Sequence, residues 1–196
     1  MRHLATAAAA AACTLVAALP AAAQPIDWCE ERWVARNTIF HRAGFCFSSA
    51  LGQQLFGNAG CTGTNPVLTP ADREAVDAIR AQEQAAGCRV NTSRGPNASM
   101  RRMAAEMAML VDVPAPDEFG WGCLGYRGPA MPLRAGASPA APVIGMVEPG
   151  QFVYSQHLGR NGWTYFVASR TPGGPMVAHG WSPRGIQQGG CDQEAG

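Results

Sequence analysis

The chain has 196 residues, with 15 basic and 14 acidic side chains and a formal net charge of +1. This length gives room for one or two small domains but not for a large core. A charge near zero leaves no electrostatic footprint for nucleic acid or for an anionic membrane, and the absence of lysine excludes a lysine nucleophile.

Residues 1–23 have the pattern of a cleaved secretory signal peptide. A short basic start is followed by an alanine-rich apolar run over residues 4–19 and by an Ala-x-Ala site that ends at Ala23. The apolar run is short for a membrane span, which needs about 20 residues. We therefore predict a periplasmic or secreted protein that begins at Gln24 and has no membrane span after cleavage.

The cysteines that follow this segment predict disulfide bonds. They are Cys29, Cys46, Cys61, Cys88, Cys123 and Cys191. An even number of cysteines behind a signal peptide is typical of bridges formed in an oxidising compartment. Many pairings are formally possible, and only geometry can reduce their number.

The first helix is predicted to begin at Asp27 and to end at Gly44. Asp27 and Glu30 have the spacing of a capping box, and Gly44 is the left-handed residue that commonly ends a helix. Its apolar stripe contains Cys29, Trp33, Arg36 and Phe40. A helix of this length separates Cys29 from Cys46 by roughly 25 Å, which is too far for a disulfide.

Two further helices follow, and their ends suggest the bridge pairing. Ser48 or Ser49 can cap a short helix over residues 50–56. Thr69 can cap a third helix that closes at Gly87. If the third helix lies antiparallel to the first, Cys88 meets Cys29. Cys46 and Cys61 flank the short helix and then pair with each other.

The end of the first helix carries a family resemblance. The string Phe40, His41, Arg42, Ala43 and Gly44, preceded by Arg36, Asn37 and Ile39, resembles the YARHG family of small domains in bacterial cell-envelope proteins. Phe40, His41 and Ala43 depart from the letters of the family's name motif. The resemblance covers about residues 27–89, within its cysteine-containing branch, and implies an envelope protein without supplying a reaction.

The polar residues of that string have a structural and a binding interpretation. Arg36 and Arg42 lie inside a helix near acidic residues, so we predict structural ion pairs, with Asn37 and Gly44 completing the motif. The alternative is an anion-binding site at the two arginines.

Residues 93–122 change in composition. Asn97 or Ser99 can cap a helix whose stripe contains Met100, Met103 and Met107, a pattern that usually fills a core and only occasionally binds copper or a partner. Pro114 to Pro116 is predicted to end this helix and to begin a linker.

The last third of the chain is predicted to be β structure. Glycine and proline punctuate five short apolar runs, at residues 131–134, 143–147, 152–154, 163–168 and 180–181. The order of these runs resembles the bacterial SH3-like domain, over about Cys123 to Cys191. The resemblance implies a five-stranded barrel that binds cell-wall peptides or peptidoglycan. We expect Cys123 and Cys191 to be bonded, since they stand just outside the two ends of the barrel.

A ligand groove is predicted on this barrel. Its candidate side chains are Tyr154, His157, Trp163, Tyr165 and Trp181, which can stack on sugar or peptide. The competing interpretation is that the tryptophans form the core of a small barrel. The histidines are scattered, so no metal site, no cofactor and no catalytic residues are predicted.

These observations predict an α+β protein with a disulfide-stapled helical domain and a C-terminal five-stranded SH3-like barrel. The predicted segments are a signal peptide (1–23), a YARHG-like helical domain (24–92), a methionine-striped helix and linker (93–122), the barrel (123–191) and a tail (192–196). The function expected is a non-enzymatic envelope module that binds peptidoglycan or a wall-associated peptide. The alternative is a protein-interaction or inhibitor protein that docks through the YARHG-like domain onto another envelope protein. A cysteine peptidase is a third hypothesis, weakened because each cysteine is assigned to a bridge.

Overall fold

The computed structural model describes residues 27–196, so the predicted signal peptide lies outside the described residues. Four helices come first: α1 (Trp28–Arg42), α2 (Ala50–Phe56), α3 (Pro70–Ala85) and α4 (Ala98–Ala108). Seven strands follow: β1 (Pro116–Tyr126), β2 (Met131–Arg134), β3 (Val143–Val147), β4 (Phe152–His157), β5 (Thr164–Ser169), β6 (Met176–Ser182) and β7 (Cys191–Ala195). The α+β class is confirmed. Within the described part, none of the helices is long and apolar enough to cross a membrane.

The helix starts follow the capping residues in the sequence. Ser49, Thr69 and Asn97 each accept a backbone N–H of the helix that they precede. Asp27 caps α1 by accepting from the N–H groups of Cys29 and Glu30. The reciprocal half of the predicted capping box is replaced by a tertiary contact, because the Glu30 carboxylate accepts from the Asn97 side chain at 2.8 and 2.9 Å.

All four helices contribute to one core. It contains Trp33, Val34, Ile39, Leu51, Val76, Ile79, Met100, Met103 and Met107. The methionine stripe of α4 is therefore core, as the more common interpretation of its spacing predicts. Val113 and Ala115 belong to the same core, and the proline-bounded segment that we predict as a linker is buried.

The strands form one antiparallel sheet in the order β3-β2-β6-β5-β4-β1-β7, which is not closed. The predicted five-stranded SH3 barrel is therefore not supported. The prediction lacks β1 and β7, which pair with each other at one end of the sheet. Neither strand has a clear local signal, because β1 begins at Pro116 and contains several glycines, while β7 is mostly polar and exposed.

The two faces of the sheet carry different cores, as the alternation along β5 shows. Phe166 and Ala168 join Cys123, Leu133 and Val153 on one face. Tyr165 and Val167 join Leu110, Trp163 and Trp181 on the other face. Leu110 follows α4, so the second face is the one that the helical part covers.

The three disulfides join the cysteine pairs that the sequence analysis expects, from the positions of the helices and of Cys123 and Cys191 at the ends of the β region. Cys29 bonds to Cys88, Cys46 to Cys61 and Cys123 to Cys191, with Cα–Cα distances of 5.3, 5.1 and 5.4 Å. The first bridge requires that the start of α1 and the end of α3 meet, which is the antiparallel arrangement.

Candidate functional site

The side chains predicted to line a groove lie mostly inside the protein. Trp181, Tyr165 and Trp163 are only 1%, 5% and 9% exposed, and Tyr154 and His157 are partly buried. Their faces pack on one another and on Leu110. No ligand can stack on the three buried rings without displacing the helical part. These five residues therefore do not form an open groove on this face.

A buried polar cluster replaces the predicted groove. The Tyr165 hydroxyl and the His179 Nδ1 atom are 2.7 Å apart, and the His157 ring meets the Tyr165 ring edge-on at 4.8 Å. His157 Nε2 also lies 3.7 Å from a carboxylate oxygen of Glu31 on α1. This cluster therefore connects the sheet to the first helix.

The pKa values of the cluster follow from its burial. Desolvation raises the pKa of Tyr165 far above its ordinary value and lowers the pKa of His179. The pKa of Tyr154 is raised by burial first and by the nearby Glu31 carboxylate second. The neutral forms of Tyr165 and His179 are thus favoured here, as expected for side chains that pack inside the protein.

An open groove lies instead beside the first half of β1, next to Trp121, Phe166 and Ile186 of the core on the other face of the sheet. It has a volume of about 340 Å³. Its lining contains Asp117, Phe119, Gly120, Trp121, Ser155, His157, Thr164, Phe166, Gly185 and Ile186. His157 is the only member of the predicted set that contributes to it.

Phe119 is the most unusual member of this lining, because 82% of it is exposed. Its ring therefore offers apolar surface at the edge of the groove. Trp121, two residues along the same strand, is partly buried against the sheet core. The two rings present aromatic surface next to the hydroxyl-bearing side chains Ser155 and Thr164.

A large irregularity in β1 explains why Phe119 points away from the core. Pro116 pairs with His157 and Trp121 pairs with Ser155, so residues 117–120 stand opposite the single residue Gln156. Extra residues on one strand form a bulge, which bends the strand and redirects its side chains. The Phe119 N–H points to the Asp117 carboxylate at 3.4 Å, which closes a local turn within the bulge.

This arrangement is suited to non-covalent recognition. Aromatic rings stack on sugar rings or on peptide groups, and nearby hydroxyls and a carboxylate orient a polar ligand. All six cysteines of the described residues are in disulfides, so none of them is a free thiol. No group of three or more potential metal ligands occurs within residues 27–196.

The motif residues of α1 hold helices together. Arg36 forms an ion pair with Glu83 of α3 at 2.9 Å, and Arg42 donates to the carbonyls of Met107 and Val111 at the end of α4. Asn37 donates to the Trp33 carbonyl at 2.7 Å. The predicted ion pair is present for Arg36, although its acidic partner is on another helix rather than on α1. Arg42 has no ion pair among the described residues and bonds to carbonyl groups instead.

One sequence pattern could have indicated the open groove. Phe119-Gly120-Trp121 places two aromatic residues around a glycine, shortly before a disulfide-bonded cysteine. Because a proline precedes this segment, the sequence analysis assigns the segment to a linker. Only the pairing with β4 identifies it as part of β1.

Comparison with known protein families gives two matches. The family described as a domain of unknown function (DUF4453) matches residues 87–196, which is more than half of the chain. The YARHG domain matches residues 9–84, which confirms the resemblance seen around Arg42. No match was found among curated proteins or among solved structures.

Proposed function

The chain belongs to the DUF4453 family and carries a YARHG domain, and from that premise we propose that it is a non-enzymatic binding module of the bacterial cell envelope. Its sheet recognises peptidoglycan or a wall-associated peptide. The disulfides and the YARHG domain indicate an extracytoplasmic protein. Periplasmic or secreted location is part of the proposal.

The observation that carries this proposal is the open groove with Phe119 at its edge. A groove of about 340 Å³ lies within the range of small-ligand sites, and a phenylalanine that is 82% exposed gains contact area only from a partner.

The non-enzymatic part of the proposal has its own support. Among the described residues, the cysteines are bonded in pairs, and His179 is buried against Tyr165 instead of facing a cleft. We expect the purified protein to release no soluble fragments from cell-wall sacculi. Release of fragments would contradict this part of the proposal.

The test of binding is co-sedimentation of the oxidised protein from Gln24 onward with purified peptidoglycan sacculi, at low and moderate salt. We expect sedimentation that resists salt, because the groove is mainly apolar and hydroxyl-lined. The whole protein is used because the helical part covers one face of the sheet.

Two variants locate the binding surface. Phe119→Ala should weaken sedimentation about tenfold, since it removes a large exposed ring without removing core contacts. Val67→Ala is the matched control, because Val67 is 90% exposed and lies outside the groove. Equal binding by Phe119→Ala and the unmodified protein would exclude this groove as the wall site. No sedimentation of the unmodified protein would favour the alternative, in which the helical domain docks onto another envelope protein.

A further inference from the structure

The open groove beside β1 offers a ligand charge of one sign. Among the described residues that line it, Asp117 is the only acidic one, and none is an arginine. The chain contains no lysine, so the lining holds neither of the two strongly basic residue types. Glu118, the next residue of the bulge, is exposed and adds a second negative charge beside the groove. A cationic ligand group therefore finds a counter-ion here, whereas a carboxylate or phosphate does not.

His157 is the other titratable side chain of the lining. Its Nε2 atom lies 3.7 Å from a carboxylate oxygen of Glu31 on α1. The side chain of His157 is only 8% exposed, so it presents little surface to a ligand in the groove. The charge that a ligand meets is therefore set by Asp117.

The bulge itself holds the Asp117 carboxylate in place. Its Oδ1 atom faces the Phe119 N–H at 3.4 Å, across the local turn. Within residues 27–196, this carboxylate takes part in no ion pair. Asp117 is also partly exposed, so a ligand can reach it. A carboxylate that is positioned in this way can accept a donor from a ligand without first losing an internal ion pair.

Two aromatic residues follow Asp117 along the same strand. Phe119 is mostly exposed, and Trp121 is partly buried against the sheet core. The methylene groups of a long basic side chain pack well on aromatic surface, and an ammonium group is attracted to the face of an aromatic ring. A carboxylate beside aromatic surface thus suits an amine on an aliphatic chain better than it suits an uncharged sugar.

We propose that the groove binds a primary ammonium group carried on an aliphatic chain of a wall peptide. Asp117 is the counter-ion, and Phe119 and Trp121 contact the methylene groups. This inference rests on the proposed wall recognition and narrows its ligand to an amine-bearing peptide. One ion pair leaves most of the contact apolar, so the expected resistance of sedimentation to salt is unchanged.

The test compares two preparations of peptidoglycan sacculi. One is untreated, and the other is treated with acetic anhydride, which converts primary amines into neutral amides. The oxidised protein from Gln24 onward is sedimented with each preparation over a range of protein concentrations. We expect about fivefold weaker binding to the acetylated sacculi, because both the ion pair and the attraction of the cation to the aromatic rings are lost.

Two variants assign this effect to the groove. Asp117→Asn removes the counter-ion and keeps an acceptor for the Phe119 N–H. It should bind untreated sacculi about threefold more weakly and should lose most of the effect of acetylation, since the two changes remove the same interaction. Glu118→Gln is the matched control, because it removes the same charge from the neighbouring residue, outside the lining. It should keep the full effect of acetylation.

Three results would overturn the proposal. Equal binding to acetylated and untreated sacculi would exclude the amine as the ligand and leave wall recognition intact. An undiminished effect of acetylation in Asp117→Asn would show that the amine binds outside this groove. Failure of the unmodified protein to sediment with untreated sacculi would overturn wall recognition and this inference together. The failure of each proposal thus has its own pattern of sedimentation.

Discussion

The indole N–H of Trp181 donates to the backbone carbonyl of Asp112 at 2.9 Å. Trp181 lies on β6, and Asp112 lies in the segment between α4 and β1. The Asp112 carboxylate also accepts from Arg160 at 3.1 Å and from the Ala137 N–H at 2.8 Å. A single aspartate thus anchors the connecting segment to three separate parts of the β structure.

Trp181→Phe should lower the free energy of unfolding by about 1–3 kcal/mol. The substitution leaves the part-buried Asp112 carbonyl without its donor and also leaves a small cavity beside the buried ring. Urea denaturation followed by circular dichroism measures the change. Trp28→Phe is the control, because Trp28 is 44% exposed, and it should cost less than about 0.5 kcal/mol. An equal cost for both changes would mean that the Asp112 contact contributes nothing.

Arg42→Gln should destabilise the protein by about 1–2 kcal/mol. Arg42 joins α1 to the end of α4 through two carbonyls, and glutamine is too short to reach both. Burial lowers the pKa of Arg42, but the guanidinium stays charged throughout the range of the experiment. Arg101→Gln on the exposed face of α4 is the matched control, and its effect on the urea midpoint should be within experimental scatter.

The helical part could be predicted well because its signals are local. Thr69 followed by Pro70 marks the start of α3, and the spacing of Met100, Met103 and Met107 marks the buried side of α4. The pairing of Cys29 with Cys88 depends on an antiparallel arrangement of α1 and α3, which the sequence allows and the structure shows.

The five predicted strand segments correspond to β2 to β6, but the order of the strands and the groove could not be predicted because they depend on distant contacts. Trp181 lies on β6 and Trp163 directly precedes β5, and the sequence does not reveal that Leu110 and the helices cover them. Phe119 is exposed because of a strand-pairing irregularity between β1 and β4, which local residue patterns do not encode. In both places the packing partner decides whether a ring is core or surface.

Gly44→Ala should destabilise the protein more than Gly57→Ala. Both glycines have positive φ angles, of 87° and 73°, so alanine is strained at either position. An added Cβ at Gly44 would also lie 2.5 Å from the Thr62 hydroxyl oxygen, whereas at Gly57 it would meet nothing within 4 Å. We expect a difference of about 1 kcal/mol or more in urea denaturation, and equal effects would show that the Thr62 contact relaxes freely.

Removal of the Cys29–Cys88 bridge should cost more than removal of the Cys46–Cys61 bridge. The two bridges close segments with sequence separations of 59 and 15 residues. The chain-entropy treatment gives about 4 and about 3 kcal/mol for such loops. Paired cysteine-to-alanine variants measured by urea denaturation test the order. A larger cost for the shorter loop would mean that native contacts, rather than loop closure, dominate the effect.

The Cys29–Cys88 bridge also crosses the boundary between the two family matches. Cys29 lies in the YARHG match and Cys88 in the DUF4453 match, and α4 of the second match packs in the core of the first. We therefore expect both the unmodified protein and the paired alanine variant to unfold in one transition, with the variant unfolding at a lower urea concentration. Separate transitions for helix and sheet signals would contradict this shared core.

Acid should destabilise the protein partly through His179. Burial lowers the pKa of this histidine, so the folded state binds its proton less readily than the unfolded state does. The stabilisation that His179 contributes is therefore fully present above about pH 6.5, the pKa of histidine in the unfolded chain, and it decreases as the pH falls below that value. The titratable groups that face this region are Tyr165, which contacts His179 directly, and then His157 on β4 and Glu31 on α1.

His179→Gln should reduce the loss of stability between about pH 6.5 and pH 5, because glutamine offers Tyr165 an acceptor and binds no proton in that range. His41→Gln is the control, since the His41 ring is only partly buried among Phe47 and Phe56. Urea midpoints measured at half-unit pH steps give the comparison. If the His179 variant keeps the pH dependence of the unmodified protein, the acid sensitivity arises from other groups. The buried histidine then takes up its proton without opening the interface between the sheet and the helices.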